Sequence, residues 1–227
     1  TTEREAEDNL AKEGIKGDKV QFVGNVMIDT LRNNLQQATS VKDIFAKNCA
    51  GPNFTGDKDS YAILTMHRPA NVDNEEVLRS LLETMNEVSK TIPIVFPVHP
   101  RTASKIKLFK LESLLENDSI LRIPPAGYLE MLGLMKDAKV VLTDSGGIQE
   151  ETTALGIPCI TLRESTERPI TATDGTNTIV GSDRDLILKT FELVMEGKGK
   201  AGRIPEYWDG QTAERIAKHL DKWLETI

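Results

Sequence analysis

The sequence predicts an α/β fold of three layers, in which helices cover both faces of a mostly parallel sheet of about six strands. From residue 60 onward, short apolar runs rich in β-branched residues, such as residues 92–98 and 140–143, alternate with longer segments of helical spacing. The segment 74–91 places apolar residues three and four positions apart, which is typical of an amphipathic helix. Strands that alternate with helices form parallel sheets that are buried on both faces.

The first 60 residues are less regular. Residues 1–14 are expected to form a helix that ends at Gly14, residues 20–23 a short strand, and residues 26–35 a second helix. Residues 39–60 contain several glycine and proline signals and are expected to form a loop, with one helical turn around Ile44 and Phe45.

The six strands of the sheet are predicted at residues 61–66, 92–98, 120–123, 140–143, 158–162 and 178–180. The intervening helices are predicted at residues 74–91, 103–117, 128–138, 148–155 and 183–196. A polar loop over residues 197–210 is expected to lead to a closing helix over residues 211–224, with Ile216, Leu220 and Trp223 facing inward.

Composition excludes several classes of protein. The chain has 227 residues and a net charge of −7, which argues against a general binder of nucleic acid or of anionic membranes. Its two cysteines are far apart, so a disulfide framework is not expected and a reducing compartment fits. The apolar runs are too short to span a bilayer, and no signal peptide is visible. The chain starts inside a polar helix-forming stretch, and we expect it to be part of a longer protein.

The residues that follow the predicted strands carry the functional signal, because ligands of open α/β sheets bind beyond the carboxyl ends of the strands. Many of these positions hold residue types that suit anion binding: His67, Arg68, His99, Arg101, Ser145, Gly146, Gly147, Arg163 and Arg168. Each also has a plainer interpretation, such as a surface salt bridge for Arg68 or a helix-entry turn at His99. Together they indicate a ligand that carries phosphate.

The segment Asp144-Ser-Gly-Gly-Ile-Gln-Glu-Glu151 is the centre of this signal. A strand that turns through glycines into a helix presents free backbone N–H groups at the positive end of the helix dipole, where phosphate binds. The alternative is a βα turn that glycines merely tighten. Glu150 and Glu151 suit the helix dipole, and Glu151 is also placed to accept hydrogen bonds from ribose hydroxyls. The sequence contains no GxGxxG motif, no P-loop motif, and no set of residues spaced as the ligands of a metal ion.

Several motifs together resemble the non-hydrolysing UDP-N-acetylglucosamine 2-epimerases. They are the DSGGIQEE segment at 144–151, TERP at 166–169, His67-Arg68, GNVMID at 24–29 and DGQ at 209–211. The resemblance covers essentially the whole chain but only the C-terminal half of the family's protein, which has two Rossmann-like domains of the glycosyltransferase-B type. It implies an inter-domain segment and loop over residues 1–59, a Rossmann-like UDP-binding domain over residues 60–227, and an N-terminal domain that is absent here.

The resemblance also implies roles for individual residues. His67 would be catalytic and would stabilise the departing UDP, while Arg68 and His99 match a second, allosteric UDP-N-acetylglucosamine site of bacterial members. The substrate-binding residues would be Ala126 and Met131 at the uracil, Ser145, Gly146 and Gly147 at the diphosphate, Glu151 at the ribose, and Arg168. Met131 stands where an aromatic residue often flanks the base, and Ile170 stands where many members have glutamate.

The implied reaction is an isomerase reaction. UDP is eliminated as the C2 proton leaves, and then adds back after protonation on the other face, which interconverts UDP-N-acetylglucosamine and UDP-N-acetylmannosamine. The family takes its acid and base carboxylates from the other half, so this chain is expected to be inactive alone. The resemblance implies no metal and no cofactor. It does imply a homodimer that lies in the cytoplasm and serves polysaccharide biosynthesis. The alternatives are a glycosyltransferase donor domain, a hydrolysing epimerase and a nucleotide-sugar sensor.

Overall fold

The computed structural model of the protein describes residues 1–226 and contains a six-stranded sheet. The strands are β1 Ala62–Thr65, β2 Ile94–Pro97, β3 Ile120–Ile123, β4 Val140–Thr143, β5 Cys159–Thr161 and β6 Asn177–Ile179. Every pairing is parallel and the spatial order is β3-β2-β1-β4-β5-β6. The predicted α/β class, the parallel sheet and its strand number are confirmed, and the order is that of a Rossmann-like domain.

Helices cover both faces of the sheet, because successive strand side chains point in opposite directions. Ala62 and Leu64 of β1 pack into one buried apolar cluster, and Ile63 packs into another. The helices of this part of the chain are α3 Val41–Lys47, α4 Pro69–Val72, α5 Glu75–Ser89, α6 Pro100–Leu108, α7 Tyr128–Asp137, α8 Gly146–Leu155, α9 Pro169–Thr173 and α10 Arg184–Met195; two more, α1 Arg4–Lys12 and α2 Val26–Asn34, precede them, and α11 Thr212–Leu224 closes the chain.

Two predicted segments differ from the structure within the sheet region. The expected loop over residues 39–60 contains α3, a two-turn helix, because Val41, Ile44 and Phe45 are buried in the same apolar cluster as Ile63. The expected helix over residues 103–117 is shorter: α6 ends at Leu108, Lys110 takes a left-handed φ of 54°, and a 3-10 turn follows over Glu112–Leu115. The short helices α4 and α9 were not predicted.

The chain divides into two compact units, residues 37–203 and a smaller unit of residues 1–36 with 204–227. This division differs from the expected boundary between residues 59 and 60, because α3 packs with the sheet. In the smaller unit the buried Asp29 accepts hydrogen bonds from the backbone N–H groups of Thr212 (3.1 Å) and Ala213 (2.7 Å), which caps α11. Asp29 of the GNVMID motif therefore has a structural role in this unit.

Two expectations for the smaller unit are wrong. Residues 20–23 are not assigned as a strand, since no strand among residues 1–226 pairs with them. The apolar face of α11 was expected to face inward, but Ile216, Leu220 and Trp223 are 37%, 48% and 54% exposed. The periodicity of α11 predicts the helix correctly, but no described residue covers its apolar face.

Among residues 1–226, no helix is long and apolar enough to cross a bilayer.

Candidate functional site

The loops after β1 and β4 define the candidate site. These two strands are adjacent at the centre of the sheet, and the chain continues outward from them in opposite directions, to β2 and β3 on one side and to β5 and β6 on the other. The loops that leave their carboxyl ends therefore diverge and leave a crevice between them. His67 lies two residues beyond β1 and Ser145 lies two residues beyond β4, so both face this crevice.

Asp144 joins the two loops. Its side chain is fully buried and accepts hydrogen bonds from the backbone N–H groups of His67 (2.9 Å) and Arg68 (2.7 Å) and from Nδ2 of Asn71 (3.2 Å). Nδ1 of His67 lies 3.0 Å from the same carboxylate. Asp144 thereby fixes the position of the residues that follow β1 relative to the start of α8.

The protonation of Asp144 follows from these contacts. Burial alone would raise the pKa of the carboxyl, but the hydrogen bonds from the side chain of His67 and from the backbone of Arg68 and His67 outweigh burial and lower it. A carboxylate that faces Nδ1 selects the imidazole tautomer with a proton on that nitrogen. Nε2 is then the nitrogen of His67 that can reach a ligand, and the ring is 36% exposed.

The predicted allosteric histidine lies beside this ring. The ring centroids of His67 and His99 are 5.3 Å apart. Nδ1 of His99 accepts a hydrogen bond from the backbone N–H of Arg101 at 3.2 Å, so His99 caps α6. The guanidinium of Arg101 pairs with Asp73 instead of joining the residues around His67.

The turn from β4 into α8 has the geometry of an anion site. Ser145 is the N-cap residue, and its own backbone N–H donates to the hydroxyl of Thr143 at 3.0 Å. The N–H groups of Gly146, Gly147 and Ile148 belong to the first turn of the helix, where no intrahelical acceptor exists. All three residues are partly exposed, so an anion could contact these groups.

The glycines of this turn are not required by its backbone conformation. Neither Gly146 nor Gly147 is among the glycines with positive φ, in contrast to Gly156 at the end of the same helix, whose φ is 72°. A Cβ on Gly146 would meet only the end of the Glu167 side chain, at an ordinary 3.7 Å. What the missing side chain provides at Gly146 is therefore open access to the backbone from outside.

A buried polar network fixes the loop after β5 to α8. Oε1 of Gln149 accepts hydrogen bonds from the hydroxyl of Thr166 (2.6 Å) and from Nδ2 of Asn177 (3.1 Å). The hydroxyl of Thr166 also accepts from the backbone N–H of Arg168 at 2.9 Å. Gln149 is completely buried, so the DSGGIQEE and TERP motifs depend on each other for their conformation.

Two carboxylates on α8 have specific partners. Oε1 of the buried Glu150 lies 3.1 Å from Nε of Arg168. This ion pair holds Arg168 against α8; sequence reasoning gave Glu150 only a helix-dipole role. Burial raises the pKa of Glu151 to about 7. The hydrogen bond from Tyr128 acts in the opposite direction and lowers this pKa, and the negative charge of Glu150 raises it by a smaller amount.

The segment predicted to frame a base lies before and within α7. Ala126 is half-buried in the loop after β3, and Met131 packs against the apolar cluster that contains Ile63. Tyr128, in the first turn of α7, is 41% exposed and hydrogen-bonds to Glu151 through its phenol. Sequence reasoning missed Tyr128, although an aromatic residue three positions before Met131 on a predicted helix was a usable signal.

A second cluster of charges borders the start of α8. Arg163 follows β5 and donates two hydrogen bonds to Glu167, at 2.6 and 2.9 Å. Glu167 also lies 3.5 Å from Nη2 of Arg68. A cavity of about 470 Å³ lies next to Arg68 and Arg163, and Ala70, Leu162 and Ser182 also line it.

Within residues 1–226, no group of three or more His, Cys, Asp or Glu residues is arranged to hold a metal ion.

Comparison with known proteins gives a consistent result. A family profile described as UDP-N-acetylglucosamine 2-epimerase matches residues 1–221. The UDP-N-acetylglucosamine 2-epimerase of Methanococcus maripaludis is 40% identical over 211 residues, which are 88% of this chain and 57% of the relative. The UDP-2,3-diacetamido-2,3-dideoxy-D-glucuronate 2-epimerase of Pseudomonas aeruginosa is 37% identical over 222 residues, 96% of this chain and 58% of the relative.

Among solved structures, the UDP-GlcNAc 2-epimerase of Methanocaldococcus jannaschii in complex with UDP-GlcNAc and UDP superposes with a TM-score of 0.81 at 39% identity. The match covers 96% of this chain and 59% of that one. The chain thus spans a little more than half of the length of the relatives that it matches.

Proposed function

The chain belongs to the UDP-N-acetylglucosamine 2-epimerase family, and on that premise we propose that it is the UDP-binding half of an isomerase that interconverts UDP-N-acetylglucosamine and UDP-N-acetylmannosamine. The reaction would proceed by elimination of UDP from C1 with loss of the C2 proton, followed by re-addition of UDP at C1 and of a proton to the opposite face of C2. This chain would bind the nucleotide and stabilise the leaving diphosphate, which is the electrostatic part of such a reaction.

The access to the backbone at Gly146 supports this proposal most directly. The residue has an ordinary φ and a side chain there would not clash with the protein backbone. A glycine that neither the fold nor the packing requires is best explained by a ligand that approaches the helix start closely. Free N–H groups at the positive end of a helix favour a phosphate group as that ligand.

The proposed roles follow from this position. The N–H groups of Gly146 and Gly147, together with the hydroxyl of Ser145, would bind the diphosphate, and Nε2 of His67 would contact it from the side of β1. Asp144 would hold the ring in place through Nδ1, and a proton on Nε2 would let His67 donate to the departing UDP and offset the negative charge that develops there.

The remaining residues would surround the rest of the nucleotide. Glu151 would accept hydrogen bonds from the ribose hydroxyls, and Arg168 would face the nucleotide-sugar from the loop after β5. Ala126 and Met131 would frame the uracil. Arg68 and His99 would contact a second nucleotide-sugar if this member is allosterically regulated.

The carboxylates in this part of the site support a binding role over a complete active site. Asp144 is held by His67, Glu150 pairs with Arg168, Glu151 bonds to Tyr128, and Glu167 pairs with Arg163. Epimerisation needs an acid and a base at C2. We propose that those groups come from the part of the family's protein that this chain does not match.

Two assays test the proposal. The 227-residue chain should bind UDP in isothermal titration calorimetry and should not epimerise UDP-N-acetylglucosamine. A protein extended to the length of its relatives should form the epimer without any acceptor. Release of UDP only with an acceptor would instead identify a glycosyltransferase, and free N-acetylmannosamine would identify a hydrolysing epimerase. Turnover by the 227-residue chain would contradict the assignment of acid and base to the other half.

A second substrate is suggested by the relative from Pseudomonas aeruginosa, which its name describes as an epimerase of a diacetamido uronate. A uronate carries an additional carboxylate that a cation would have to neutralise. Arg68, Arg163 and Arg168 each already face a carboxylate of this chain. A competition assay with both UDP-sugars on the extended protein decides between them, and we expect the neutral sugar to be preferred.

The oligomeric state and the location are also proposals. The family resemblance supports a homodimer in the cytoplasm that serves polysaccharide biosynthesis. Sedimentation of the extended protein tests the dimer, and fractionation of the cells that produce it tests the compartment.

A further inference from the structure

The ion pair of Arg163 and Glu167 lies beside the proposed diphosphate position, and neither residue has a role in the function proposed so far. We propose that Arg163 is an additional phosphate-binding residue, and that Glu167 is its resident counter-ion, which an incoming diphosphate displaces. This inference rests on the proposed function for the identity of the ligand, and it concerns two residues to which that proposal assigns no role.

The first step is the position of Arg163. β4 and β5 pair with Thr143 opposite Thr161, and the backbone N–H of Leu162 donates to the carbonyl of Thr143 at 2.9 Å. Arg163 therefore leaves β5 at the level at which Ser145 leaves β4. The negative charge of the buried Asp144 also contributes to raising the pKa of Arg163, after the larger contribution of Glu167. The backbone of Arg163 therefore lies next to the loop that follows β4.

The second step is the position of the Glu167 carboxylate. Oε2 lies 3.7 Å from where a Cβ of Gly146 would be, so the carboxylate stands over the first residue of α8. Both oxygens accept from Arg163, Oε2 from Nη1 at 2.6 Å and Oε1 from Nη2 at 2.9 Å, and Oε1 also lies 3.5 Å from Nη2 of Arg68. An anion that contacts two cations at a helix start occupies the kind of position that a phosphate would take.

The third step is the difference in burial between the partners. The side chain of Arg163 is only 18% exposed, whereas that of Glu167 is 52% exposed and lies on the loop after β5. A largely buried cation that lost its counter-ion without a replacement would be destabilised, because a buried charge needs a partner. The exposed carboxylate can rotate into water at small cost. The arrangement therefore favours exchange of one anion for another over simple loss of the ion pair.

The side chain of Arg163 is the main cause of the low pKa of Glu167, which is about 2, so the carboxylate is charged at every pH at which UDP would bind. Protonation does not remove Glu167 from the site. A ligand must therefore compete with it, and the competition involves the phosphates and not the base or the ribose.

The test compares four proteins by calorimetry: the wild-type chain, Glu167→Gln, Glu164→Gln and Arg163→Met. Each is titrated with UDP, uridine and inorganic pyrophosphate after its fold has been checked by circular dichroism. Glu164 is an exposed carboxylate on the same loop, so Glu164→Gln makes the same change in net charge, and the hydrogen bonds and ion pairs of Arg163 go to Glu167 instead. It is the control for a general effect of charge.

We expect Glu167→Gln to bind UDP and pyrophosphate about two- to fivefold more tightly than wild type, the range that an exposed ion pair supports. Its affinity for uridine should be unchanged, and Glu164→Gln should show less than half of the gain. Arg163→Met should weaken both phosphate ligands about tenfold. In the double variant the gain from Glu167→Gln should disappear, because the site of competition is gone.

Equal or weaker binding of pyrophosphate by Glu167→Gln would overturn the exchange and would make Glu167 a structural support of Arg163. An equal gain in Glu164→Gln would overturn it as well. Failure of the proposed function is separate: it appears as absence of UDP binding by the wild-type chain. If neither the wild-type chain nor Glu167→Gln binds pyrophosphate, the exchange is overturned too.

Discussion

The buried carboxylate of Asp144 lies 3.0 Å from Nδ1 of His67 and accepts the backbone N–H of the same residue at 2.9 Å. One side chain therefore fixes both the backbone and the imidazole of His67. Because Asp144 immediately precedes the Ser145 turn, the imidazole and the helix start are held in one arrangement. The chemistry proposed for this site depends on that arrangement.

Asp144→Asn should weaken the site and the fold together. The amide would put a donor where His67, Arg68 and Asn71 now donate to a carboxylate, so the variant should lose about 1–3 kcal/mol of unfolding free energy. UDP affinity should fall as well. Asp118→Asn, at an exposed carboxylate, is the control and should change neither. Urea denaturation and calorimetry measure the two effects; an unchanged affinity in a folded Asp144→Asn protein would remove Asp144 from the account.

Gly146→Ala should separate stability from binding. The residue is helical with an ordinary φ, so alanine should leave the fold intact and can stabilise it by up to roughly 1 kcal/mol. The added Cβ would stand between the helix start and the ligand, so UDP affinity should fall at least about tenfold, an order-of-magnitude expectation for losing one close phosphate contact.

Gly156→Ala is the matched control for this change, because Gly156 ends the same helix with a φ of 72°. It should destabilise the protein without affecting UDP binding. Thermal unfolding and calorimetry on both variants give the comparison. If Gly146→Ala binds UDP as well as wild type does, then open access at Gly146 is not a feature of the binding site.

The raised pKa of Glu151, about 7, predicts a pH dependence of stability. A carboxyl whose folded pKa exceeds its unfolded value binds its proton more tightly in the folded state. The unfolding free energy should therefore fall as the pH rises from about 4.5 to about 7, by up to roughly 3 kcal/mol, and then level off. Glu151→Gln should flatten this part of the profile and should be the more stable protein at pH 8. A wild-type slope that survives in Glu151→Gln would mean that another group causes it.

The same titration should appear in binding. If ribose hydroxyls donate to Glu151, the ionised carboxylate is the stronger acceptor. UDP affinity of the wild-type chain should then rise between pH 6 and pH 8 by more than that of Glu151→Gln, which serves as the control for ionisation of the UDP phosphates themselves. Parallel profiles would show that Glu151 does not contact the ribose.

Thr166→Val tests the connection between the loop after β5 and α8. The change removes a 2.6 Å hydrogen bond to the buried Oε1 of Gln149 and the acceptor of the Arg168 backbone N–H. The variant should lose about 1–3 kcal/mol of stability and bind UDP more weakly. Thr226→Val, far along the chain and exposed, is the control. A destabilised protein with full affinity would show that the loop conformation does not matter to the ligand.

The sequence was sufficient for the parts of this structure that depend on local pattern. Strand positions follow from the apolar runs, and the choice of the candidate site follows from the rule that ligands bind beyond the strand ends. The charge partners did not follow, because they join residues that are distant in the sequence. Glu150 was assigned to the helix dipole although it pairs with Arg168, and Arg101 was grouped with the anion binders although Asp73 holds it.

The errors near the ends of the chain have the same origin. The alternation in residues 20–23 resembles a strand, but a strand exists only where another strand pairs with it. The apolar stripe of α11 predicts a helix correctly, whereas whether Trp223 is covered depends on what packs against it. Periodicity reports the local conformation and cannot report the partner.

The central claim is that the start of α8 binds the diphosphate of UDP, and amide chemical shifts test it most directly. In ¹⁵N–¹H spectra of the labelled chain, titration with UDP should shift the amide signals of Ser145, Gly146, Gly147 and His67. Uridine should leave these four signals nearly unchanged while it shifts signals near Met131. If UDP shifts none of the three amides of the Ser145–Gly147 turn, or shifts them no more than uridine does, the claim is contradicted.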